Sequence, residues 1–268
     1  MAYVTIPRDK LKLVKRVAQG SFGTVYKALW DAHEVAAKRI EIEDGRREVS
    51  FLSKLDHPNI VKLLGYVDDD LDFYIVLQLC EGGSLRQYLN AHRGAHLGPR
   101  FYDWSKQAGR PIAFLKRMGV VHKDIKTPNY LITNGNILKL CDFGSAKELD
   151  VTISMATETA SYPWMAPELL RDNILSPTYD IYAYGVVVWE LWTTDIPFEG
   201  SDSPAILIWR ICNDNERPPI PPNCPKAIAD LLRHCWFTDW KKRPTMEQVM
   251  SMDIGLKMER KKMTITGY

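Results

Sequence analysis

VVHKDIKTPN, residues 120 to 129, follows an apolar pair with a histidine, two lysines, an aspartate and an asparagine within eight positions. So many groups that carry charge or exchange protons in one short segment point to chemistry, because a segment that only packs has no use for them. Two further motifs lie downstream in fixed order, CDFG (141 to 144) and MAPE (165 to 168). Upstream stand a glycine-bearing turn, QGSFGTVYKA (19 to 28), and VAAK (35 to 38).

Gly20 and Gly23 fall between two strand patterns, not between a strand and a helix. Glycine lets backbone approach phosphate oxygens closely, yet a plain hairpin turn explains the same pair. No G-x-x-x-x-G-K-[ST] occurs, which excludes a Walker-type phosphate loop, and no dinucleotide-binding strand-turn-helix context is present. Lys38 sits among small apolar residues and reads either as a solvated strand lysine or as a phosphate ligand. The second reading needs an acid to hold the ammonium, and Glu48 is the candidate.

The chain has 268 residues, 46% of them hydrophobic, enough for one large core or two lobes. Its 35 basic and 33 acidic residues leave a net charge of +2, so no global field argues for nucleic acid or a membrane surface. Five cysteines without a C-x-x-C pair argue against a disulfide framework or a zinc site and for reduced thiols. MAYVTIPRDK lacks the features of a secretory signal. The longest apolar stretch, IYAYGVVVWELWTT (181 to 194), is shorter than the roughly 20 residues of a membrane span and carries Glu190, so it reads as a buried helix. A cytoplasmic globular enzyme is expected.

Residues 11 to 79 show strand patterns in LKLVKRV, TVYKALW, EVAAKRI and DFYIVLQL. One helix interrupts them, from an N-cap at about Asp44 through REVSFLSKL, and HPN (57 to 59) ends it. After EGGSL (81 to 85) the patterns become helical, so Gly82 and Gly83 mark a boundary of the kind beside which ligand clefts form. No internal repeat is seen.

The glycine turn, V-A-x-K, H-x-D-x-x-x-x-N, D-F-G and A-P-E in this order resemble the signature set of eukaryotic protein kinases. The resemblance runs from about Lys10 to Met258. It implies an α+β, bilobal protein kinase fold, with a strand-rich N-lobe over 1–80, a mainly helical C-lobe over 81–260 and a short tail over 261–268. The implied cofactors are ATP and Mg²⁺.

By the same resemblance Asp124 accepts or orients the acceptor hydroxyl's proton, and Lys126 neutralises charge on the γ-phosphate. Asn129 and Asp142 hold Mg²⁺, and Lys38, paired to Glu48, grips the α- and β-phosphates. Ala18, Gly20, Ser21, Gly23 and Val25 cover the nucleotide. Ala36 and Leu131 sandwich the adenine, Leu77 is the gatekeeper, and Gln78 and Cys80 offer backbone groups. His122 is structural. Lysine at 126 implies a serine or threonine acceptor, and Ser161 takes the place of a threonine that contacts the catalytic aspartate and lysine. Asp180 ties down the catalytic loop, Glu168 and Arg243 form a buried ion pair, and Thr152, Ser154, Thr157 and Thr159 are candidates for phosphorylation. Cys141 packs in the core, with covalent attachment of an ATP-site ligand as the alternative.

HPNIVKLLG, EGGSL, LKLCDFGSA, PWMAPE and the stretch from Glu216 to Val249 resemble the transforming-growth-factor-β-activated group of MAP kinase kinase kinases, with mixed-lineage kinases second. The implied partners are MAP kinase kinases as substrates in stress and immune signalling, and an activating or adaptor protein. Four positions depart from the family pattern. Ala18 stands where a glycine is usual, Lys123 replaces the arginine before the aspartate, and Ala160 replaces a glycine. Pro111 falls inside the helix that feeds the catalytic loop, where a proline costs about 3 kcal/mol and a kink or break is expected. An active serine/threonine kinase and a pseudokinase scaffold both remain open.

Overall fold

The computed structural model describes residues 4–20, 23–69, 72–148, 161–201 and 203–252. Ser21, Thr152, Ser154, Thr157, Thr159 and Ala160 lie outside them. The chain forms two compact units, Met1–Leu85 with Pro128–Ala146, and Arg86–Thr127 with Lys147–Tyr268.

The first unit is built on a six-stranded sheet of β1 (Val4–Thr5), β2 (Leu11–Gly20), β3 (Gly23–Trp30), β4 (His33–Ile40), β5 (Leu63–Asp68) and β6 (Phe73–Gln78), in the order β1-β5-β6-β4-β3-β2. Only β1 and β5 pair in parallel. Alternation assigns the faces: Val35 and Ala37 of β4 join Ile6, Leu11, Ala28, Val67, Tyr74 and Val76 in one apolar cluster. Ala36 and Lys38 therefore belong to the opposite face. Directly paired residues share a face, so Val25 opposite Lys38, Leu77 opposite Ala36 and Ala18 opposite Val25 lie there too.

Gly23 adopts φ +116°, and a Cβ there would run into the Arg39 carbonyl oxygen on β4. Gly23→Ala is expected to destabilise the unit by about 1–3 kcal/mol, since a side chain meets both forbidden torsion and backbone. A thermal melt of the variant checks this.

The strands β1 and β5 were not expected from the sequence. Gly65 in the middle of β5 weakens its strand signal, yet there a Cβ would sit 2.5 Å from the Val4 carbonyl oxygen, so glycine is what admits β1 alongside. Helix α1 (Ile42–Leu52) also starts earlier than expected. Its N-cap is Glu41, and Asp44 lies in the first turn beside Glu43. An acid there meets the positive end of the helix dipole without capping it. Leu55 is buried beyond the helix end. The hairpin of β8 (Tyr130–Ile132) and β9 (Leu138–Leu140) belongs to this unit, fastened by Val61 N donating to Leu140 O (2.9 Å) and Gly82 N to Ile132 O (2.9 Å).

The second unit is mainly helical: α2 (Leu85–Ala91), α3 (Pro99–Arg117), α4 (Pro167–Asp172), α5 (Tyr179–Thr193), α6 (Pro204–Trp209), α7 (Lys226–Cys235) and α8 (Met246–Ser251). A short ladder pairs β7 (Val120–Val121) with β10 (Lys147–Glu148). α5 is the apolar stretch read from the sequence, and it is buried from Tyr179 through Leu191. α3 packs on it, with Tyr184 Oη donating to Ser105 O at 3.0 Å.

The break expected at Pro111 does not occur, and α3 runs continuously from Pro99 to Arg117 with the proline inside. Pro111 is itself buried, together with Trp104, Ala108, Ile112 and Leu115. Tertiary packing of that face outweighs one missing backbone bond. No helix among the described residues is long and apolar enough to cross a membrane.

Candidate active site

In the first unit, Lys38 lies on the sheet face opposite the apolar cluster and is 7% exposed. Its Nζ donates to Glu48 Oε2 at 2.7 Å and to Asp142 Oδ1 at 2.9 Å. Burial by itself would lower the ammonium's pKa, but the charges of Glu48 and Asp142 hold it above the ordinary lysine value. Burial pushes the Glu48 carboxyl upward against the pull of Lys38. The other Glu48 oxygen accepts from Phe143 N at 3.3 Å, which ties α1 to the DFG segment.

Asp142 adopts φ +65°, a left-handed torsion that an aspartate tolerates better than most residues. Asn129 O accepts from Cys141 N at 2.9 Å, so the backbone holds Asn129 beside the residue that precedes Asp142. Ala36 and Leu131 are half-buried, and Leu77 is buried at the end of β6. Gln78 N is taken by Lys62 O at 2.9 Å.

Cys80 and Cys141 are half-buried thiols. Burial pushes Cys80 up to about 11 and raises Cys141 well above the ordinary thiol value. Thiolates are the reactive form, so at pH 7.5 Cys80 should alkylate with iodoacetamide on the order of a hundredfold more slowly than a free cysteine. Peptide mass spectrometry over a labelling time course measures it, and a free-thiol rate would refute it.

The second unit gathers a separate group. Lys126 Nζ stands 2.7 Å from Asp124 Oδ2 and donates to Ser161 Oγ at 2.8 Å, and Ser161 Oγ donates to Asp124 Oδ1 at 2.9 Å. Burial alone would raise the Asp124 carboxyl, but Lys126, with help from His122 and the Ser161 hydroxyl, holds it below its usual range. An ionised carboxylate is what a proton acceptor needs.

Asp180, on the first turn of α5, accepts from His122 N (2.8 Å) and Lys123 N (3.1 Å). Burial pushes its carboxyl up to about 6 against those two bonds. His122 is fully buried, and its Nδ1 accepts from Asp124 N at 3.3 Å. Lys123 takes φ +71°, and burial, with the nearby Lys147, lowers its ammonium. Glu168 and Arg243 form a buried two-point pair at 2.6 Å each.

Glu190 is the residue that the sequence reading passed over, having registered it only as a charge inside an apolar run. It is 0% exposed and accepts from Thr127 Oγ1 (2.6 Å), Arg86 Nη1 (3.0 Å) and Trp164 Nε1 (2.8 Å). Burial pushes its carboxyl up to about 7 against these donors. The available signal was energetic: an acid within a buried helix is sustained only by partners.

Comparison with known proteins gives the following. Human mitogen-activated protein kinase kinase kinase 7 is 35% identical over 260 residues, covering 92% of this chain and 42% of the relative. Bovine mitogen-activated protein kinase kinase kinase 13 is 32% identical over 252 residues, covering 93% of this chain and 26% of the relative. A probable serine/threonine-protein kinase of Dictyostelium discoideum is 32% identical over 258 residues, covering 93% and 28%. The chain thus spans less than half the length of these relatives. A family model described as protein tyrosine and serine/threonine kinase matches residues 11–252. With that match running through both units, the chain belongs to the protein kinase family.

Proposed function

We propose that this chain transfers the γ-phosphoryl group of MgATP to serine or threonine hydroxyls of proteins, as a MAP kinase kinase kinase whose substrates are MAP kinase kinases. The cytoplasm is its proposed place of action, in stress or immune signalling. The observation that carries the reading is the Lys38–Glu48 ion pair, 2.7 Å long with Glu48 0% exposed. Kinase catalysis needs that pair in place, and burying two charges with no task for them costs stability that apolar residues would not.

Asn129 and Asp142 are the proposed Mg²⁺ ligands. Both present hard oxygen donors, and among the described residues no group of three or more His, Cys, Asp or Glu makes an all-protein metal cage. A few protein oxygens completed by phosphates and water suit magnesium. The ion, when bound, supplies neutralisation of phosphate charge. Lys38 holds the α- and β-phosphates, and the sheet face bearing Val25, Ala36 and Leu77, with Leu131, receives the adenine. Asp124, ionised beside Lys126, orients the acceptor hydroxyl and takes its proton, while Lys126 offsets charge on the transferring group.

The lysine two residues after Asp124 and its bond to Ser161 support the serine/threonine assignment, and the relatives' names support the substrate class. The test is transfer of γ-labelled phosphate from ATP to a catalytically inactive MAP kinase kinase and to myelin basic protein, with Asp124→Asn as the reference. Incorporation into the MAP kinase kinase at least 100-fold above the variant is expected. Label in neither acceptor would point to a scaffold that does not transfer phosphate.

A further inference from the structure

Helix α1 carries a glycine in its interior, Gly45, at a buried position on the stripe it shares with Glu48 and Leu52. Glycine forms helix less readily than alanine, so its place one turn before Glu48 needs a reason from packing. That reason is Phe73, at the start of β6. A Cβ on Gly45 would stand 2.3 Å from Cδ1 and 2.6 Å from Cε1 of the ring, with Ile40 Cγ2 at 3.0 Å. The helix backbone thus lies directly on the ring, closer than a side chain would let it come.

The ring has nowhere to retreat, since Phe73 is 1% exposed and stacks on Tyr66 with the ring centres 5.8 Å apart. A methyl group at position 45 would therefore move the helix, and restoring ordinary carbon contact takes about 1 Å or more of outward shift. Glu48 rides on the next turn with both oxygens committed, Oε2 to Lys38 Nζ at 2.7 Å and Oε1 to Phe143 N at 3.3 Å. Lengthened by that amount, neither remains a hydrogen bond. Arg46 also reaches from α1 to both carboxylate oxygens of Asp68 at the end of β5. Its side chain is 64% exposed, so that pair adds little, and the contact of Gly45 with Phe73 sets the distance.

We propose that Gly45 is a positioning residue for phosphoryl transfer: lacking a side chain, it lets α1 seat against Phe73, and that seat brings Glu48 within reach of Lys38 and of the Phe143 amide. The assignment rests on the kinase reading above. It runs against helix propensity, by which Gly45→Ala should only improve α1. It also leaves acceptor binding alone, because Asp124, Lys126 and Ser161 belong to the second unit.

The experiment compares the wild type, Gly45→Ala, Phe73→Val and the double variant by kcat, acceptor KM and hydrogen exchange at the Phe143 amide, with whichever of the two acceptors above the wild type phosphorylates. Phe73→Val removes both ring atoms that a Cβ at position 45 would strike. Gly45→Ala is expected to lower kcat about tenfold, to leave the acceptor KM within about twofold and to speed exchange at Phe143 about tenfold. In the double variant kcat and exchange return to within about twofold of Phe73→Val alone, because the methyl group then has room. Wild-type kcat and exchange in Gly45→Ala overturn the proposal, and so does a loss that the double variant does not relieve. Should Gly45→Ala fail to fold, the double variant beside Phe73→Val decides: agreement within about twofold supports the seat, and a kcat about tenfold lower overturns it. A wild type that labels neither acceptor overturns the kinase reading and this assignment together, whereas an active wild type with exchange at Phe143 unmoved in Gly45→Ala overturns this assignment alone.

Discussion

Lys38→Met is expected to lower phosphoryl transfer by 10²- to 10³-fold or more, the order of loss that follows removal of one preorganised charge from an active site. Methionine keeps the length and the apolar stem of lysine, so the change isolates the ammonium. Lys38 donates to both Glu48 and Asp142, so its removal leaves two acids facing one another within the first unit. Burial already pushes the Glu48 carboxyl upward, and losing the ammonium adds to that push, so Glu48 answers by taking a proton. The variant should consequently fold, with the loss appearing in kcat and in ATP affinity and little of it in Tm. Steady-state kinetics beside a thermal melt separate the two. A fully active Lys38→Met would remove the basis for placing the phosphates at this lysine.

The largest stability effect belongs to the Glu168–Arg243 pair, whose side chains are 3% and 0% exposed. Arg243 also donates through Nε to Phe237 O at 2.8 Å and lies 5.2 Å from the Tyr182 ring centre, while Ser176 Oγ donates to Glu168 Oε1 at 2.7 Å. Arg243→Met strands a buried carboxylate and is expected to cost about 3–5 kcal/mol. For a chain of this size that is a Tm lower by on the order of 10 °C. Combining Arg243→Met with Glu168→Leu should cost much less than the two single changes added together, because no buried charge is then left alone. Calorimetry of the four proteins gives the coupling directly. Additive losses would mean that each residue acts through its other contacts and not through the pair.

The parts of the site that were legible in the sequence are those whose signals are local. Lys38, Asp124, Asn129 and Asp142 could be read because their motifs stand in the order of the protein kinase signature, whereas V-A-x-K alone left Lys38 open between a solvated strand lysine and a phosphate ligand. Glu190 could not, since a single acid in an apolar run has no neighbour in sequence that explains it. Its partners come from positions 86, 127 and 164, brought together only by folding. Strand β5 was missed for the same kind of reason. Gly65 looks unfavourable for a strand until β1 arrives beside it and leaves no room for a side chain.

Sequence alone determined the order of the motifs and the change from strand to helix near residue 85, because periodicity and turn residues act over a few positions, and the candidate site residues came from the resemblance those motifs carry. Tertiary structure decided what depends on distant chain. It carried α3 through Pro111 without interruption and joined residues 128–146 to the first unit. It also converted Glu190 from a stray charge into a junction. The physical reason is one of scale: a proline or a lone acid carries a fixed local cost of a few kcal/mol, and only burial and hydrogen bonds from remote segments supply enough to reverse it.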